Sequence, residues 1–371
     1  MKPLPILVAV APICMTLIAT PVHSVPPPPP FADGTRQLIR WIPGEARCTD
    51  GAVSVVRLQQ PFVSIGFARP SPTQSYHFRI DEQGRPLSIA NNGGQRLAAT
   101  ADDVGAALAA SRFAAGRART DCHLEYRSQA SPLDEAPVAD LMAYSLSPIS
   151  GALPSAAWKR MAPANSTCMA APRPAPLNRQ FPDFDALPAT PGARDWTMVG
   201  YDLDAKGRPI RARIVEGTGN RALDAASIKA MNASRFTGGA RTGCLYPYWR
   251  SPATVAAPAP PAGQRSVDAS CASDRPWAIA PRLTYPPAYR RRAIEGWAVV
   301  AYDVAPWGET GNSRVIASEP SAAFGEQAMQ MIRAARKVAS SSGATGCIEL
   351  VRFVIGKEDG SHNGDTPAFP D

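Results

Sequence analysis

The stretch Trp297-Ala-Val-Val-Ala-Tyr-Asp-Val304 is apolar and β-branched enough to form a strand, and its neighbours extend it into a fold. Beyond Gly308, Ser313-Arg-Val-Ile-Ala317 reads as a second strand, so the two make a hairpin. Phe324, Ala328, Met331, Ala335 and Val338 then recur every three or four residues, which lays one apolar stripe along a helix. Gly343 and Gly346 break that pattern, and Cys347-Ile-Glu-Leu-Val-Arg-Phe-Val-Ile355 closes the unit as a third strand. Alternation puts Ile348, Leu350, Arg352 and Val354 on one face and Val351, Phe353 and Ile355 on the other. Upstream, Tyr285-Pro-Pro-Ala-Tyr289 leads into a short amphipathic piece ending at Glu295-Gly296. The predicted order is helix, strand, strand, helix, strand.

The same pattern stands twice more in the chain. Phe78-Arg-Ile-Asp81-Glu-Gln-Gly84-Arg85-Pro86 matches Tyr201-Asp-Leu-Asp204-Ala-Lys-Gly207-Arg208-Pro209, an offset of 123 residues that Ala110-Ser-Arg-Phe113 and Ala233-Ser-Arg-Phe236 keep. From the second segment to the third the offset is 101, carrying Trp196 to Trp297, Tyr201-Asp202 to Tyr302-Asp303, Gly207 to Gly308 and Arg213 to Arg314. Three copies of one unit explain this most economically. The cysteines agree. Setting aside Cys14, the remaining six are Cys48 and Cys122, Cys168 and Cys244, and Cys271 and Cys347, separated by 74, 76 and 76 residues. Six cysteines allow fifteen pairings, but three near-equal spacings in three copies select one disulfide per copy. Closing loops of that length could stabilise each unit by about 4 kcal/mol, and such bridges require an oxidising compartment.

Tyr285-Pro286, the short helix, Glu295-Gly296, a strand ending near Asp303, Gly308, a second strand, an Ala-rich helix and a last strand together resemble the C-terminal domain of the TonB energy-transducer family. In the second segment, Gly219, Leu223-Asp224-Ala225-Ala226, Ala230 and Phe236 resemble that family's helix signature. The resemblance implies an α+β fold of three tandem TonB-C-like modules, each a small three-stranded antiparallel sheet packed with one or two helices. The expected boundaries are 34–130 for a diverged module 1, 138–251 for module 2, 252–264 for a Pro/Ala linker and 265–356 for module 3. In this family an extended peptide from an outer-membrane receptor adds to a sheet edge. By resemblance, partner binding falls on the last strand, at Ile348, Leu350, Arg352 and Val354.

Residues 1–24 carry one lysine, an apolar run from Leu4 to Ala19 and no acidic residue, and end on Val22-His-Ser24, which reads as a secretory signal peptide. Pro5 and Pro12 interrupt the run, which is short for a membrane span. Residues 25–33 hold five consecutive prolines and form a Pro-rich spacer, and 357–371 read as a disordered polar tail. Removing 1–24 deletes one lysine, so the net charge falls from +8 to +7. Export argues against nucleic acid as a partner despite this basic balance. Arg290-Arg-Arg292 is the densest basic run and reads as a solvated face, with an anionic envelope polymer or lipid as the sharper reading.

The sequence carries no catalytic or metal-binding constellation. His77, His123 and His362 do not lie at ligand spacing, and His123 reads as a surface residue because a disulfide-bonded Cys122 cannot ligate a metal. Asp81 and Asp204 each stand three residues before a glycine and read as turn openers, with Ala305 and Gly308 as the third version. Trp196, Trp297, Tyr201 and Tyr302 are expected between sheet and helix. No cofactor is expected. The expected function is that of an exported periplasmic, non-catalytic protein-binding chain, contacting an envelope protein by strand addition at the third module's edge. The alternative keeps Leu4 to Ala19 as an inner-membrane anchor and makes the chain a genuine energy transducer, the one case with membrane contact. An enzyme acting on envelope polymer would have only Asp202, Asp303 and His77 as candidate residues.

Overall fold

In the third segment the expected order is observed. The central strand Gly296–Val304 is flanked by Thr310–Glu319 on one side and Ala344–Phe353 on the other, all antiparallel. Helix Ala322–Ala334 starts at Ser321, whose hydroxyl accepts from Ala323 N, and buries Phe324, Ala328, Met331 and Ile332 against the sheet. It ends four residues before Val338, which is 43 % exposed and lies outside the stripe assigned to it. A β-branched residue there is instead next to the two-residue strand Arg336–Lys337, which pairs with Trp277–Ile279. The short helix Pro287–Arg291 precedes the sheet. The computed structural model describes residues 36–67, 73–92, 103–262, 271 and 275–356. The signal peptide 1–24, the spacer 25–33, residues 265–270 of the third module and the tail 357–371 lie outside the described residues.

The second segment has the same order: strands Asp195–Leu203, Pro209–Gly217 and Arg241–Arg250, the first of them central, with helix Arg221–Ala233 between the second and third. Asn220 caps that helix through Leu223 N. The hairpin turns agree in detail with the first segment. Gly84, Gly207 and Gly308 have φ of 73°, 70° and 95°, and their carbonyls accept from Phe113 N, Phe236 N and Lys337 N, at 2.9 Å in each case. A Cβ at any of the three would stand 1.9–2.1 Å from the carbonyl oxygen of that same residue, so close approach as well as positive φ selects glycine. Asp81 and Asp204 open their turns as expected, accepting from Arg85 N and Arg208 N. Ser88, Arg211 and Asn312 repeat a positive φ in the returning strand at the same offsets of 123 and 101.

The first segment departs from a three-stranded plan. Strands Gln74–Ile80 and Pro86–Asn91, helix Val104–Ala110 and strand Arg119–Pro132 keep the order, but the sheet has seven strands. Strand Arg119–Pro132 is 14 residues long; its early part pairs with Gln74–Ile80 and its later part with Arg36–Pro43, which also pairs with Ser64–Phe67. It therefore runs past residue 130, the expected end of module 1. Helices Val138–Leu146 and Ser155–Met161 fill a core with Leu38, Ile65 and Leu133 on one side and Met198 on the other. Their apolar faces join the first segment to the second, although both helices fall within the bounds expected for module 2, 138–251.

Nor is the Pro/Ala stretch from 252 a free linker. Ala253 N donates to Thr190 O and Gly192 N to Ala253 O, both at 3.1 Å, while Val255 N donates to Ala293 O and Glu295 N to Val255 O, both at 2.9 Å. Composition missed this because the stretch is held through backbone groups, which every residue type carries. Helix Val104–Ala110 is buried along its whole length. Its small side chains allow close approach: a Cβ on Gly192 would meet Ala110 Cβ at 2.5 Å. One core runs from the first segment (Tyr76, Leu108, Phe113, Tyr126) into the third (Tyr289, Val300, Phe324, Phe353), and a separate core lies within the second.

Candidate functional site

Strand Ala344–Phe353 lies at the edge of its sheet, paired on one side with Gly296–Val304 and with no strand of the described residues on the other. Such an edge presents alternate backbone N–H and C=O groups outward. Of the residues expected to contact a partner, Ile348, Leu350 and Arg352 stand opposite Ala301, Val299 and Trp297 of the central strand. Val354 falls one residue past the strand. Leu350 is 38 % exposed and Val354 60 %, Arg352 is exposed and Ile348 half-buried. Phe353 is buried, and Glu349 and Val351 partly so. Glu349 has its pKa raised, burial outweighing the attraction of Lys337. Ile355 N donates to Glu295 Oε1 at 3.1 Å, and Tyr285 Oη to Phe353 O at 3.4 Å, which tie down the strand's end.

Trp297 is buried on the face away from the helix, where its Nε1 donates to Pro258 O at 2.8 Å. Trp196 packs on the core beside Met198, also away from its segment's helix. The expectation for these two residues is therefore corrected: a central strand with both faces covered needs apolar residues in both registers, and periodicity cannot say which face meets which element. Tyr201 and Tyr302 are on the helix side, stacked on Phe236 and Trp277 with ring centroids 5.6 and 6.2 Å apart.

The arginine run is also corrected. Arg290 is exposed and Arg291 half-buried, but Arg292 is 1 % exposed. Its Nε donates to Asp103 Oδ1 at 2.9 Å and its Nη2 to Asp103 Oδ2 at 2.6 Å. Further bonds go to Gly192 O at 3.1 Å and Gln60 O at 2.8 Å, and the guanidinium lies 4.3 Å from the Phe62 ring centroid. Its partners come from the first and second segments, so a local reading could not identify it as a buried group.

The three cysteine pairs are bonded as the spacing implied: Cys48–Cys122, Cys168–Cys244 and Cys271–Cys347. Asp202 accepts from Gly243 N at 2.7 Å and Arg211 Nε at 2.6 Å; burial pushes its pKa up, but these bonds and the nearby arginines bring it below the ordinary value. Asp303 is held below its ordinary value by Asn312 Nδ2 at 2.7 Å and Gly346 N at 2.8 Å. Both carboxylates brace the entry to the last strand, a structural use that occupies their oxygens. Sequence spacing kept His77 and His123 apart, but the fold sets them opposite each other on adjacent strands, with ring centroids 6.4 Å apart. Among the described residues no group of three or more His, Cys, Asp or Glu is placed to hold a metal ion. Among them, too, no helix is long and apolar enough to cross a membrane.

Residues 281–354 match the family model described as Gram-negative bacterial TonB protein C-terminal, so this part of the chain is similar to the C-terminal domain of that family. No curated protein matches the chain.

Proposed function

We propose that the chain is an exported, non-catalytic binding protein of the cell envelope, built from three copies of the TonB C-terminal-like fold and acting in the periplasm through strand addition at Ala344–Phe353. The observation that carries this is the open edge of the domain that matches the TonB family, with Leu350, Arg352 and Val354 exposed along it. Main-chain bonds along such an edge would supply affinity, and side chains at alternate positions selectivity. The recurrence of the glycine turn, the positive φ and the disulfide at matched positions supports three copies. Three disulfides suit an oxidising compartment. The partner in this reading is an envelope protein presenting an extended peptide, with an outer-membrane receptor as the first candidate.

The test places a photo-crosslinking amino acid at Leu350, at Val354 and, as a control, at exposed Arg160, in the full chain in its native cells. Crosslinks from 350 and 354, absent at 160, to an extended segment of one envelope protein are expected. Equal labelling at all three positions, or none, would sink the proposal.

A further inference from the structure

A cleft of about 510 Å³ opens between the first segment and the loop entering the second sheet. Its size falls in the range of small-molecule sites. Leu58, Phe62 and Trp196 contribute apolar walls, Thr218 stands at the mouth and Arg292 lies at the bottom. No residue of the strand-addition edge takes part.

The charges lining it are almost balanced. Arg40 pairs with Asp140 at 3.1 Å, and Arg292 is neutralised by Asp103 behind the wall. Asp195 accepts from Thr190 N and Oγ1, both at 2.9 Å, and Arg194 is held by Ser147 Oγ at 3.1 Å. With Asp103 counted behind the wall, four guanidiniums are set against three carboxylates. Arg194 is engaged through Nη1 with Leu146 O and Ser147 Oγ, whereas Arg57 has no ion pair or side-chain hydrogen bond among the described residues and its Nε is buried, so the excess is assigned to Arg57. Among the described residues no carboxylate pairs with it: Arg57 stands opposite Arg112 across two short strands, and Asp81, which acts on Arg112, is engaged with Arg85 at 2.7 Å. Burial and then repulsion from Arg57 and Arg85 lower the pKa of Arg112, consistent with a local shortage of anions.

A buried guanidinium N–H without an acceptor is costly, and a carboxylate satisfies it with geometry that a neutral oxygen cannot match. One excess positive charge suits a monoanion; a phosphate dianion would reverse the imbalance against Asp140 and Asp195. We infer that this cleft binds a small organic carboxylate with an apolar or aromatic body, its carboxylate on Arg57 and its body against Phe62 and Trp196.

The probe is N-acetylphenylalanine, with N-acetylphenylalaninamide as its neutral counterpart, titrated calorimetrically into the full chain. The acid is expected to saturate and to bind at least about tenfold more tightly than the amide. Arg57→Gln should bring the acid to the amide's level, while Arg160→Gln leaves it unchanged. Thr218→Trp, which puts a ring at the mouth and releases the bonds of Thr218 Oγ1 to Trp196 N and O, should abolish binding and tests the site even if Arg57→Gln does not fold. The inference is overturned if acid and amide bind alike, if neither saturates, or if the acid binds Thr218→Trp as it binds the unsubstituted chain.

Discussion

Arg292 and Asp103, 189 residues apart in sequence, form a two-bond ion pair in which both residues are 1 % exposed. The pair joins the third segment to the first, and the same guanidinium reaches Gly192 of the second. Removing one partner leaves the other charge buried. Arg292→Met is therefore expected to lower unfolding stability by about 3–5 kcal/mol, measured by urea titration. Arg292→Met with Asp103→Leu should be less destabilised than Arg292→Met alone. A double variant that loses the two single effects in full would show that the pair contributes nothing as a pair.

The turn glycines separate two effects that are usually combined. Gly207→Ala forces an unfavourable φ and a Cβ 1.9 Å from Phe236 O, so it should lose roughly 2 kcal/mol or more. Gly219 also has positive φ, at 80°, but nothing lies within 4 Å of its Cβ position. Gly219→Ala should lose only about 1 kcal/mol. Equal losses in parallel thermal melts would discount the close approach.

Cys168 and Cys244 close a loop of 76 residues around the second segment's own core. Replacing both by serine should lower stability by about 2–5 kcal/mol. Because that core is separate from the others, its loss should appear first in hydrogen exchange of strands 195–203 and 241–250. Simultaneous loss of protection in all three sheets would instead indicate that the segments unfold as one.

Glu349 supplies a pH test. Its folded pKa is raised by burial, with Lys337 opposing, so the fold prefers its protonated form. Its contribution is therefore most favourable below the ordinary glutamate value of about 4.3 and declines as pH rises from there through the raised folded value. Glu349→Gln should be more stable than the unsubstituted chain at pH 7, and this advantage should vanish by about pH 3.5, below that ordinary value. A variant less stable at pH 7 would mean that the attraction to Lys337 prevails. Asp202 and Asp303 behave oppositely: with lowered pKa values, they stabilise above the ordinary aspartate range and lose that contribution as pH falls through their folded values.

How much was legible depended on the range of the forces involved. Alternation and three-or-four spacing are local, and they placed the strands from Gly296 and the helix carrying Phe324, Ala328 and Met331. The turn signature from Asp204 to Gly207 is local as well, because φ, the Asp side chain and the next strand's start are all set within a few residues. Cysteine spacing reached further only because it recurs. Strand Arg36–Pro43 was not legible: its partner, 119–132, is distant, and the adjacent apolar pairs Leu38-Ile39 and Trp41-Ile42 break the alternation.

The candidate surface was legible in the same partial way. Alternation found the exposed side of 348–354, but that this strand is an edge depends on what fails to pair with it. The charge imbalance at Arg57 could not be read from the sequence, since its neighbours Arg112, Arg85 and Asp81 come from separate elements.

By itself the sequence determined the strand, strand, helix, strand order of the third segment, the three cysteine pairs and the alternation along the strands, because backbone geometry and side-chain period act over a few residues. Only the tertiary structure decided that Arg292 is buried, that Ala253 and Val255 are docked and that Trp297 faces away from its helix. Desolvation and pairing are properties of a residue's surroundings, and those surroundings come from parts of the chain tens to hundreds of residues away, Pro258 for Trp297 and Asp103 for Arg292.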